Sequence, residues 1–169
     1  MRPFPLAAVL LALLPSLGAR AAPLVPGTPA FSLVLEGLYA QPGGGHVREA
    51  AGGSIGAALR LSDQLAAIGG VSLLGSRAGG ISALSFGLQA ILDVTPVIPF
   101  LDLAVVRLGP EGNAGYTLAT RTGGGADWQL GRSFALGLAV HTLTPLDGTL
   151  IVAGTEIALR FVFKPGAVR

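Results

Sequence analysis

The sequence predicts an all-β chain, an eight-stranded antiparallel up-and-down transmembrane β-barrel, and three observations carry that expectation. Segments of nine or ten residues after residue 30 alternate apolar with small or polar side chains: FSLVLEGLYA, GSIGAALRL, LSFGLQAIL, FALGLAVHT and TEIALRFVF. A period of two means a strand with two unlike faces. Gly, Pro and Asp fall mostly between these segments, where turns need them. The chain is also 51% hydrophobic but only 12% charged, against about 25% for soluble domains, with a mean hydropathy of +0.67. The longest uncharged run after the amino terminus, between Arg77 and Asp93, is interrupted by Ser82, Ser85 and Gln89. That is too broken for the roughly 18 apolar residues of a membrane helix. A backbone that crosses lipid without a helix must satisfy its hydrogen bonds by closing a sheet.

The elements follow in order. Arg2 is a positive start, Leu6 to Leu14 form a short apolar core, Pro15 breaks it, and Ala19-Arg20-Ala21 is a cleavage-site pattern. Residues 1–21 therefore read as a secretory signal peptide, and the Pro-rich segment 22–30 as a periplasmic lead-in. Strands are expected at about 31–40, 51–61, 65–74, 81–92, 99–108, 115–130, 134–142 and 149–163, giving a barrel over 31–163 and a tail at 164–169. Ser62-Asp63-Gln64 and Gly131-Arg132-Ser133 are the tight turns. Each strand is within reach of the 9–11 residues, roughly, that a tilted crossing needs. The third is the least regular, because Ile68 and Leu74 are out of phase with Leu65, Val71 and Leu73.

Charge phase tests the pattern from within. Phe31, Leu33, Leu35 and Tyr39 share one face of the first strand and Glu36 takes the other. Ile55, Leu59 and Leu61 oppose Arg60; Leu101, Leu103 and Val105 oppose Asp102; Leu118, Trp128 and Leu130 oppose Arg121 and Asp127; Ile157, Leu159, Phe161 and Phe163 oppose Glu156 and Arg160. Only Arg107 is on the apolar phase, near a strand end where it can snorkel to the interface. A charge facing lipid at mid-depth costs about 2–4 kcal/mol, so this segregation is what a barrel requires. A soluble barrel with the apolar face inward has the same parity. Its water-facing side would carry more charge than the Ser, Gly, Ala and Thr found here.

The polar phase thus predicts a lumen network in which Glu36, Asp102, Asp127 and Glu156 balance Arg60, Arg121 and Arg160. Buried ions must pair to avoid a penalty of several kcal/mol, and eight strands leave little room for water, so the network is expected to plug the barrel; a polar conduit for small solutes is the alternative. Phe31, Trp128, Phe134 and Phe163 are expected at one rim, with Tyr39 and Tyr116 at the other, as membrane-interface aromatics.

Features that would carry chemistry are sparse. Gly52-Gly53-Ser54-Ile55-Gly56 matches a nucleophile pattern, but that motif needs a strand-to-helix elbow, whereas here it opens a strand. His46 lies in a Gly-rich loop, and His141 is on the lumen phase near a rim, where a hydrogen-bonded structural role is expected. No metal-ligand cluster, phosphate-cradling loop or cofactor motif is present in the sequence. Cysteine is absent, which excludes disulfide and thiolate chemistry, and a net charge of +2 without a basic patch gives nucleic-acid binding no support.

Two segments carry a family resemblance. GGGADWQLGRSFALGLAVHTL, residues 123–143, resembles the penultimate hairpin of small OmpA/OmpX-type outer-membrane barrels. GTEIALRFVF, Gly154 to Phe163, is similar to the closing strand that outer-membrane assembly machinery recognises, with Gly154, Ile157, Leu159, Phe161 and Phe163 as the signal. KPGAVR follows Phe163, so the signal is internal here, whereas many members end on the aromatic. The resemblance implies a Gram-negative outer-membrane location, contacts with outer-membrane lipid, lipopolysaccharide and the assembly machinery, and a monomer. Members include anchors, adhesins and lipid-modifying enzymes, so it implies no single activity. No His-x-Ser pairing of the lipid A deacylase kind follows His141. The expectation is a non-enzymatic structural or surface-interaction barrel, with a barrel transporting small solutes or hydrophobic molecules as the alternative and a lipid-modifying enzyme as a remote one.

Overall fold

Each strand pairs with its neighbours in sequence, and the last closes onto the first. The computed structural model describes residues 31–42, 49–76, 79–92, 97–110, 115–131, 133–146 and 154–165. They form β1 (Phe31–Pro42), β2 (Ala50–Arg60), β3 (Leu65–Ser76), β4 (Gly79–Ile91), β5 (Val97–Pro110), β6 (Thr117–Gln129), β7 (Phe134–Pro145) and β8 (Gly154–Phe163). All pairings are antiparallel and the order β1 to β8 is a closed barrel, so no edge strand is left to aggregate. Residues 1–30, where the signal peptide and lead-in are expected, lie outside the described residues, as do His46, Arg132 and most of the expected tail.

Alternation sets where the strands form, and turn chemistry sets where they stop. Between β2 and β3 the amides of Leu61 and Ser62 both donate to the Leu65 carbonyl, at 2.9 and 3.1 Å. Between β6 and β7 the Leu130 and Gly131 amides donate to Phe134 O at 3.0 and 3.3 Å. The sequence placed the end of the seventh strand at residue 142, but β7 runs on to Pro145. β5 is likewise longer than expected, taking in Val97 at one end and Pro110 at the other. Its two prolines, Pro99 and Pro110, sit near the strand ends, where a missing donor is tolerated.

Register fixes the tilt. From Phe31, Cα partners run through Leu59, Ala67, Leu88, Leu103, Thr122, Thr142 and Thr155 and return to β1 at Gln41, ten residues further along. Such a stagger around eight strands requires strands inclined to the axis.

The apolar phase faces out. Phe86 is 71% exposed, whereas Ala104 on the inner phase of β5 is 2% exposed. Leu33, Leu35, Ile55, Leu84, Leu101, Leu103, Val105, Leu138, Leu159 and Phe161 are all exposed, while Asp102, Arg121, His141, Glu156 and Arg160 are buried. The irregular third strand is regular in the structure: Ile68 and Leu74 point into the lumen, with Leu65, Val71 and Leu73 outside. Leu74 packs with Leu38 and Ala50 in an apolar cluster that strand parity does not predict, and Ile68 lines the lumen cavity. Towards the rim away from the described chain ends, Ala83, Val106, Leu108, Ala119 and Leu143 pack together inside the barrel. At the other rim Ala66, Ile91 and Ile98 do so, as do Val34, Ala135 and Val162.

Candidate functional site

The charged residues of the lumen form two cross-strand rows of one design. In the first, Asp102 on β5, Gly123 on β6, His141 on β7 and Glu156 on β8 are successive Cα partners. Gly123 has no side chain, so the His141 imidazole reaches over it: His141 Nε2 lies 3.0 Å from Asp102 Oδ2 and Nδ1 lies 3.6 Å from Glu156 Oε2. In the second row Asp127 on β6, Gly137 on β7, Arg160 on β8 and Glu36 on β1 are successive partners. Arg160 Nε reaches across Gly137 to Asp127 Oδ1 at 3.3 Å, and Nη1 lies 3.6 Å from Glu36 Oε1. The row continues to β2, where the Ser54 hydroxyl donates to Glu36 Oε2 at 2.8 Å. Each row therefore reads acid, glycine, base, acid, and the second is displaced by one strand.

Both glycines are required by close approach. A Cβ at Gly123 would lie 2.6 Å from His141 Cδ2, and one at Gly137 would run into Asp127 Oδ1. Arg160 is also held from one face by an aromatic ring, its guanidinium carbon 4.1 Å from the Phe100 centroid. This arrangement stabilises a desolvated cation.

One contact in the rows has hydrogen-bond geometry, and the others are at charge-pairing distance. The His141 to Asp102 contact has hydrogen-bond geometry, whereas His141 Nδ1, Arg160 Nε and Asp127 Oδ1 have charge partners within ion-pair distance but no aligned hydrogen bond. Asp102 Oδ1 and Arg121 Nε are buried without a hydrogen-bond partner among the described residues. Asp102, Arg121 and Arg160 line a cavity of about 40 Å³ against β2 to β4, where Ser54, Gly56, Gly70, Ser72 and Ser85 supply little bulk. A second cavity, of about 50 Å³, lies toward the chain-end rim beside Arg60, Asp127 and Lys164. Each has the volume for about three water molecules. The polar groups that line them are the partners such waters need.

The sequence-predicted charges are thus all on the lumen phase, in different settings. Glu36, Asp102, Asp127, Glu156 and Arg160 make up the two rows. Arg121 faces the first cavity and Arg60 the second. Where β8 closes onto β1, the partner of Glu36 is Arg160, while Glu156 pairs with Ala40. His141 was read as a structural residue near a rim. Because β7 extends to Pro145, it sits in the body of the strand at the centre of the first row, 1% exposed. A signal for it existed in the sequence: Gly123 and His141 share the lumen phase of adjacent strands, but the pairing register was needed to align them. Ser54 of the nucleophile-like motif lies within β2 and bonds Glu36; there is no helix among the described residues to make an elbow.

Outside, Phe31, Trp128, Phe134 and Phe163 lie on the exterior at the chain-end rim, with the Phe134 and Phe163 rings 5.1 Å apart. Tyr39 and Tyr116 are exposed toward the other rim. Gly154 opens β8, and Ile157, Leu159, Phe161 and Phe163 all face out. Arg107 is also exterior, its guanidinium carbon 4.5 Å from the Tyr116 centroid.

No family model matches the sequence, and no curated protein matches it. The fold has close counterparts among solved structures. The N-terminal β-barrel domain of Pseudomonas aeruginosa OprF aligns with a TM-score of 0.59 at 14% identity, covering 78% of this chain and 96% of that one. Neisserial surface protein A (NspA) gives 0.57 at 13% identity over 79% and 95% of the two chains. A de novo designed transmembrane β-barrel gives 0.56 at 15%, over 80% and 95%. The chain has the closed eight-stranded antiparallel fold of the small outer-membrane barrels.

Proposed function

We propose that this chain is an integral outer-membrane barrel, exported through a cleaved signal peptide, whose charge-paired lumen is plugged and whose role is structural or in surface interaction rather than enzymatic. The observation that carries the reading is the inversion seen residue by residue on β5. Leu101, Leu103 and Val105 are exposed, and the intervening Asp102, Ala104 and Val106 are buried. An exterior of this kind is unstable in water and matched to lipid. The likeness to the OprF domain and NspA folds supports the outer membrane as the location. The outward face of β8 suits recognition by assembly machinery, and the monomer is the unit in which all pairing is satisfied. Cell fractionation tests this: the protein should enter the outer membrane and migrate differently in gels before and after heating. Recovery as a soluble periplasmic species contradicts it.

A second reading, a conduit for small solutes, has in its favour the cavity against β2 to β4 and the one beside Arg60 and Asp127 toward the chain-end rim. The apolar layers nearer each rim oppose it. Planar-bilayer recording separates the two, since sustained single-channel steps require an open path and a plugged lumen gives none.

A further inference from the structure

Arg121 stands apart from the charge pairs of the lumen. The carboxylates of Glu36, Asp102, Asp127 and Glu156 each lie 3.0 to 3.6 Å from His141 or Arg160. Arg121 belongs to none of these pairs. It is 9% exposed, and its Nε has no hydrogen-bond partner among the described residues. Register explains the isolation. Arg121 is the Cα partner of Ala104 and Asp102 is that of Gly123, so the two are diagonal neighbours across β5 and β6. Such positions are about 7–8 Å apart, and Asp102 turns Oδ2 to His141 instead. A buried guanidinium without a counter-ion is costly unless an anion comes to it.

The two cavities supply the room and the way in. Arg121 and Asp102 line the first, and Arg60 and Lys164 line the second toward the chain-end rim. Val34, Gln89 and Arg160 line both, so the cavities adjoin. Cations therefore follow one another inward from the rim: Arg60 and Lys164, then Arg160, then Arg121. The path stops there. Ala119, the next lumen position on β6 beyond Arg121, belongs to the apolar layer with Ala83, Val106, Leu108 and Leu143.

We propose that this path is a blind pocket for a small planar oxyanion that carries one O–H group, bicarbonate being the simplest, held by Arg121 at the inner end. A guanidinium binds two coplanar oxygens side by side. Asp102 Oδ1, on the same cavity and without a hydrogen-bond partner among the described residues, repels a bare anion and calls for a donor. The O–H group is that donor. Bicarbonate has the size for a space that holds about three waters. Ser72 on β3 and Gln89 on β4, both buried against this cavity, offer further donors. The barrel stays plugged, because the path does not cross the apolar layer beyond Arg121.

The test uses the full mature chain refolded in a zwitterionic detergent, which keeps the question apart from that of membrane location. The buffer has a bulky sulfonate as its sole anion and a mildly alkaline pH at which bicarbonate prevails. Bicarbonate is added at constant ionic strength, with formate as a planar anion without O–H. It should raise the unfolding temperature saturably, and formate should bind about fivefold more weakly. Arg121→Gln should abolish the shift. In sulfonate alone this variant should unfold no earlier than the wild type, since it removes a cation that has no counter-ion. A wild-type barrel that bicarbonate does not stabilise overturns the inference, as does a shift that survives Arg121→Gln. Loss of stability by Arg121→Gln in sulfonate alone also overturns it, because Arg121 would then be joined to Asp102 through water. Formate binding as tight as that of bicarbonate overturns the role given to Asp102 Oδ1.

Discussion

His141 and Asp102 lie two strands apart and meet at 3.0 Å across the bare backbone of Gly123. Arg160 and Asp127 repeat the relationship at 3.3 Å across Gly137. In a lumen this narrow, a base can serve two carboxylates only if the strand between them yields its inner position.

The first prediction follows from that geometry. Gly123→Val places bulk where the imidazole passes, and overpacking of this kind costs about 1–3 kcal/mol; loss of the His141 to Asp102 contact adds to it. Gly37→Ala is the control, since an added Cβ there meets nothing within 4 Å. Urea unfolding of the barrel refolded in liposomes should show a clear drop in midpoint for Gly123→Val and almost none for Gly37→Ala.

Arg160→Ala should destabilise the barrel by about 3–5 kcal/mol, because it leaves Asp127 and Glu36 buried without their cation. Adding Glu36→Gln and Asp127→Asn to Arg160→Ala should recover part of the loss, since the neutral side chains no longer need a counter-ion. A triple variant as unstable as the single one or more so would mean that Arg160 acts through packing on Phe100 and not through charge.

Phe161→Asp with Phe163→Asp should prevent insertion, since both side chains face out on the strand that closes the barrel onto β1. Phe163→Ala alone should only weaken assembly, as Phe134 still covers that part of the rim. The fraction folded, read from heat-modifiable gel migration, checks both.

Trp128 is the only tryptophan and is 62% exposed at the chain-end rim, so fluorescence reports its depth directly. On insertion its emission should shift to the blue, and lipids brominated near the headgroup should quench it more than lipids brominated at mid-chain. The reverse order would move Trp128 from the interface to the centre of the bilayer.

Much of this is legible in the amino-acid sequence. The phase of Glu36, Asp102, Asp127, Glu156 and Arg160 follows from parity alone, because a period of two assigns each residue a face whatever the register. Partners were not legible. Whether Glu36 meets Arg160 or Glu156 depends on a four-residue difference in the β1 to β8 register, which the turns and closure decide together. The inner apolar layers were also missed. Leu38, Phe100, Val106, Leu108 and Leu143 share the phase of the charges, and a rule that makes one phase polar treats them as exceptions. An eight-stranded lumen is filled by side chains, so toward the rims these residues satisfy each other. Leu74 makes the third strand look irregular for the same reason.

The chain contains no cysteine, so a single introduced thiol can be labelled without background, and Leu103 and Ala104 are neighbours on opposite phases of β5. With a small fluorophore at Leu103→Cys or at Ala104→Cys in separately refolded barrels, a lipid-attached quencher should strongly reduce the Leu103→Cys signal and leave Ala104→Cys nearly untouched. The opposite pattern, quenching at Ala104→Cys with Leu103→Cys protected, would mean that the polar phase faces outward and would contradict the account at its centre.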